Sequence, residues 1–136
     1  MKINTLAVLM IRYALAITFL SAVADRFGFW GLPGQPNVAW GDYDHFLNYT
    51  GIINPWVPKS CIPILGSIAT LLEVLFAIAL MIGFRLRETS LGSAILLFLF
   101  AISMTLSVGI KAPLDYSVFT ASAGAFLLYS KVKGNG

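Results

Sequence analysis

Two side chains carry charge where the sequence is otherwise apolar. Glu73 stands near the middle of residues 62–84, IPILGSIATLLEVLFAIALMIGF, and Arg12 interrupts residues 5–24, TLAVLMIRYALAITFLSAVA. A charged group at mid-membrane costs about 2.5 to 3.5 kcal/mol on insertion scales, so it faces a bundle interior where it pairs, exchanges protons or lines a pathway. Consecutive spans run antiparallel, which lets the two depths be compared. At 1.5 Å per residue, Arg12 lies roughly 10 Å in from position 5 and Glu73 roughly 16 Å in from position 84. The difference of about 6 Å is within the reach of an arginine side chain, so a buried Arg12–Glu73 ion pair is expected. Such a pair has two readings, a lock on helix register or a functional polar site.

A second set of polar groups falls at the predicted outer ends of the helices. Asp25 and Arg26 close the first apolar run, and Asp115 and Tyr116 open the last. They are candidates for a polar rim with Lys111, and Asp115 is also suited to capping a helix start after Pro113. His45, the only histidine, could titrate near neutral pH or hydrogen-bond a quinone-like carbonyl at the membrane surface; an interface residue is the plainer role. With one histidine and one cysteine, Cys61, a single copy offers no thiolate or imidazole metal site and no disulfide.

The elements that must position these groups are four apolar helices. The composition is 58% hydrophobic and 11% charged, against about 45–50% and about 25% in soluble domains, which places most of the chain in lipid. The charge of +3 is too small and too scattered for a nucleic-acid footprint. Spans are expected at residues 5–24, 62–84, 90–110 and 113–130. The first is too long for a signal-peptide core and is broken by Arg12. The short turn at 85–89 makes the second and third spans antiparallel neighbours. The fold expected is therefore all-α: one integral membrane domain, a four-helix bundle, with a long outer loop at 25–61 between the first two spans.

That loop holds Trp30, Trp40, Tyr43, Phe46, Tyr49 and Trp56, side chains suited to the membrane interface. Within it, residues 42–51 read as a short helix capped by Asp42 or Asp44 and ended by Gly51, so the loop is expected to fold as a lid. Lys2, Arg85, Arg87, Lys131 and Lys133 gather on the side of both termini, with Arg26, Lys59 and Lys111 opposite, which marks both termini as cytoplasmic. The tail 131–136 reads as frayed. Hydroxyls in the third and fourth spans read as packing groups bonded to their own helix carbonyls.

The arginine in IRYALAITFLSAVADRFG, the Gly/Pro/aromatic outer loop and the stretch LGSIATLLEVLFAIALMIGFRLR together resemble the DoxX-like family of small four-helix membrane proteins. The resemblance spans nearly the whole chain. It implies a bacterial inner-membrane protein, associated with an oxidoreductase system and adjacent to quinone chemistry, without catalytic activity of its own. A redox centre would come from a bound quinone or a partner subunit, since no residue here supplies one. Two other classes fit the residues: a small proton-coupled transporter using Glu73, and an assembly factor that holds a client protein through the outer loop.

Overall fold

In the computed structural model, which describes residues 2–132, the chain is all-helical, with no strand among the described residues. The elements are α1 (Ile3–Arg26), α2 (Tyr43–Ile53), a 3-10 turn at Lys59–Cys61, α3 (Ile62–Ile82), α4 (Leu86–Val108), α5 (Lys111–Asp115) and α6 (Val118–Lys131). Three of the helices, over Ile3–Arg26, Lys59–Ile82 and Leu86–Val108, are long and apolar enough to cross a membrane. Of the tail expected to fray over 131–136, Lys131 is the last residue of α6, and residues 133–136 lie outside the described residues.

One core joins α1, α3, α4 and α6 through Leu15, Ala16, Phe19, Ala77, Leu80, Ala94, Leu97, Ala125 and Leu128. On α3 the buried residues Ile62, Gly66, Thr70, Glu73, Ala77 and Leu80 recur every three or four positions, a single stripe turned inward. Small side chains dominate the seams. Ser90, Ser93, Ala94 and Ala101 on α4 are buried, as are Ser122 and Ala125 on α6, and such residues let helix backbones approach closely. Ser122 Oγ donates across the seam to the Ala94 carbonyl at 2.8 Å. Other hydroxyls bond back along their own helices: Thr105 to Ala101 O at 2.8 Å and Ser107 to Ser103 O at 2.7 Å.

The helix ends differ from the expected ones for local reasons. Gly83 takes φ 77° and ends α3, and Arg85 at φ 43° starts α4 at Leu86, so the turn between them is shorter than the 85–89 segment. The span expected at 113–130 is broken: Pro113 lies within α5, Ser117 adopts φ 57°, and α6 begins only at Val118. Residues 43–53 form a helix with Asp42 as cap, accepting from His45 N at 2.8 Å. Gly51 does not stop it, and lies inside the helix with Ile62 opposite.

Candidate functional site

The expected Arg12–Glu73 pair is not formed. Arg12 donates from Nε to the Leu80 carbonyl at 2.8 Å and from Nη2 to the Met81 carbonyl at 3.1 Å, so its charge sits on the C-terminal end of α3. Glu73 pairs instead with Arg26, with Nη1 and Oε2 2.5 Å apart and both side chains buried. Two physical reasons account for the exchange of partners. First, the helices are staggered: Arg12 is already level with Leu80, and seven residues further along each helix Phe19 comes level with Glu73, where Phe19 rests near Phe76 with ring centroids 6.5 Å apart. Second, helix side chains lean toward their own N-terminus. Arg12 and Glu73, on antiparallel helices, lean away from each other, whereas Arg26 leans down into the bundle and Glu73 leans up to meet it.

Around this pair the chain builds a closed polar chain of contacts. Arg26 Nη1 also donates to Thr70 Oγ1 at 2.8 Å, and that hydroxyl donates to the Gly66 carbonyl at 2.8 Å. The guanidinium carbon lies 3.8 Å from the Phe46 ring centroid and 5.2 Å from that of Trp40, a cation–π contact on apolar rings. Arg26 is 1% exposed and Glu73 4%. Arg26 Nε has no acceptor.

Asp25, one residue earlier, faces the other way. Its carboxylate accepts three consecutive backbone N–H groups, from Ala39 at 2.8 Å, Trp40 at 2.8 Å and Gly41 at 2.9 Å. This clamp sets Trp40 over Arg26. Two further bonds pin α2 to the long helices: Tyr43 OH with Ser67 Oγ at 2.8 Å, and Ser103 Oγ to Asn54 Oδ1 at 3.1 Å. Gly66 makes the approach of α2 possible, because a Cβ there would stand 2.6 Å from Leu47 Cδ2 and 3.2 Å from Phe46 Cε2.

The other candidates are dispersed. Asp25 and Arg26 are buried, so the expected rim with Lys111 and Asp115 does not form. Asp115 ends α5 and pairs with Lys111 at 2.5 Å on the exposed surface; it does not cap the following helix. Tyr116 is exposed. His45 is also exposed, its Nδ1 2.7 Å from Asp42 Oδ1, which leaves it a partner of the α2 cap. The His45 backbone N–H, followed by its ring, holds the Asp42 carboxyl below the usual carboxylate range. Burial raises the Tyr49 phenol, with Tyr116 adding to the shift.

Thr70, Trp40, Phe46 and Gly66 complete the centre, and none of them carries a charge that would single it out in the sequence. The spacing Gly66, Thr70, Glu73, Ala77 was a usable signal, since it places a hydroxyl, an acid and two small residues on one face of α3. No protein-family model, curated protein or solved structure matches this chain.

Proposed function

We propose that the protein is a DoxX-like integral membrane protein: a four-helix bundle of the bacterial inner membrane, both termini cytoplasmic, serving as a non-catalytic membrane subunit of an oxidoreductase system. The observation that carries the non-catalytic reading is the engagement of the buried charges in holding the outer segment. Arg26 ties α1 to α3, Asp25 ties the 39–41 segment over it, and Trp40 and Phe46 close the guanidinium from above. The apolar exterior supports the membrane assignment, since Ile17, Leu71, Leu75 and Leu99 are all more than half exposed along the helices. With Arg26 in the core, the outer side keeps only Lys59 and Lys111 as exposed basic groups, which increases the bias of Lys and Arg toward the side of the termini.

Quinone adjacency has support in a groove of about 500 Å³ between α4 and α6, lined by Leu91, Ile95, Phe98, Phe119 and Phe126. Its volume falls within the range of about 300–1,000 Å³ for small-molecule sites, and it opens to the apolar exterior, with Phe98 and Phe126 half-exposed at its rim. The transporter reading is weaker, because Glu73 is engaged with Arg26 in a buried pair that also ties α1 to α3. Purification from native membranes in mild detergent tests the proposal. The expected result is a co-purifying quinone in the organic extract or a cofactor-bearing partner subunit. Emergence of the protein alone, with no bound small molecule, would remove the oxidoreductase reading; a Glu73-dependent collapse of a pH gradient in vesicles would replace it with the transporter one.

A further inference from the structure

The outer connection divides into two parts with opposite chemistry. Its second half, from Trp40 to Ile53, covers Arg26. Its first half turns outward: Phe29 is 81% exposed, Trp30 59% and Leu32 68%. Residues 27–41 contain no charged side chain. An uncharged loop that presents three large apolar side chains is poorly suited to water.

The backbone directs this loop back along α1. Gly28, at φ 81°, donates to Asp25 O at 3.1 Å, and Phe29 N donates to Ala24 O at 3.0 Å. This is the paired 5→2 and 6→1 pattern that reverses a chain at a helix end. Trp30 Nε1 then donates to the carbonyl of Ser21 at 3.1 Å. Ser21 lies five residues before the end of α1, about 7.5 Å back along the axis. The indole is therefore fastened beside the flank of the helix, adjoining the exposed Ile17 side, and not above its end. The base of the loop is closely packed. Gly41 at φ 82° leaves room for the Leu32–Pro33 backbone, where a Cβ would come within 2.4 Å of Pro33 N, and Gly41 N is bound to Asp25.

We infer that Phe29, Trp30 and Leu32 form a wedge that enters the boundary between headgroups and acyl chains of the outer leaflet, extending the lipid-facing surface of α1. The occupant of this surface is lipid: the patch is uncharged, it is continuous with the apolar flank of a helix long enough to span, and it is folded toward that flank by a hydrogen bond. The inference rests on the membrane reading above, and its test separates the two.

In a Cys61→Ser background, nitroxide labels are attached at Phe29→Cys, Leu32→Cys, Leu75→Cys and Asn48→Cys, and the full chain is placed in phosphatidylcholine–phosphatidylglycerol vesicles. Collisions with oxygen and with a water-soluble nickel chelate are then compared. Positions 29 and 32 are expected to favour oxygen, as 75 does, while 48 favours nickel. If 29 and 32 favour nickel while 75 favours oxygen, the wedge is wrong and the membrane reading stands. If 75 also favours nickel, both fail. Should the labelled variants not fold, tryptophan quenching by lipids brominated on the acyl chain serves instead, and Trp30→Phe is expected to lose a large part of the quenching seen in the unmodified chain. Undiminished quenching in that variant overturns the wedge.

Discussion

Arg12 and Arg26 stand on the same helix and do different work, and the difference lies in where their side chains lean. Arg12 neutralises the carbonyl end of α3, where a cation also complements the helix dipole. Arg26 meets the only carboxylate of α3. Replacing Arg26 with Leu is expected to cost about 3–5 kcal/mol, because Glu73 is left buried and unpaired. The double change Arg26→Leu with Glu73→Leu should recover most of it. Arg12→Leu is expected to cost about 1.5–3 kcal/mol through lost charged hydrogen bonds. Unfolding in detergent measures all of these, and a mutant cycle between Arg12 and Glu73 should show coupling below about 0.5 kcal/mol, as for independent sites. A large Arg12–Glu73 coupling would contradict the pairing described here. At this scale the sequence revealed that a buried acid needs a cation but not which one, since depth counted along two backbones ignores both helix stagger and side-chain direction.

The short helix α2 and its neighbours show what depends on contact between elements. Gly66→Ala pushes a Cβ against Leu47 and Phe46. The flexible end of Leu47 gives way first, and overpacking of this kind costs about 1–3 kcal/mol. Limited proteolysis should accordingly cut the 27–61 connection faster in the variant, and equal rates would show that α2 adapts without lifting. The start of α2 responds to acid. Asp42 has its carboxyl held below the usual value of 3.8 by the His45 N–H, so its support for the cap is complete above that value and disappears as pH falls through the lower folded one. The protection of the His45 amide, taken as its exchange rate relative to the intrinsic rate at each pH, should fall only in that acid window, and Asp42→Asn should keep the cap while removing that fall. This helix was legible in advance from an Asp cap followed by apolar residues. The break at Ser117 was not, because a left-handed serine carries no mark in the sequence.

For the molecule as a whole, the proposed orientation places Cys61, itself exposed, on the outer side immediately before α3. A membrane-impermeant maleimide added to right-side-out vesicles should label it, and protection until the vesicles are opened would reverse the topology. Composition and run length alone indicated an all-helical chain with four apolar spans; three helices are long and apolar enough to cross a membrane, and the fourth expected span is broken at Ser117. The aromatic content of the outer connection likewise marked it as more than a linker. Only the tertiary structure decided which arginine holds Glu73, that Asp25 secures the connection and is not part of a rim, and that the aromatic residues split between a cover over Arg26, at Trp40 and Phe46, and an exposed group at Phe29 and Trp30. The physical reason is that a charge in an apolar run states a need for compensation. The identity of its partner is set by stagger, by the lean of side chains and by close approaches at Gly66 and Gly41, and these belong to the packed helices together and to no one segment.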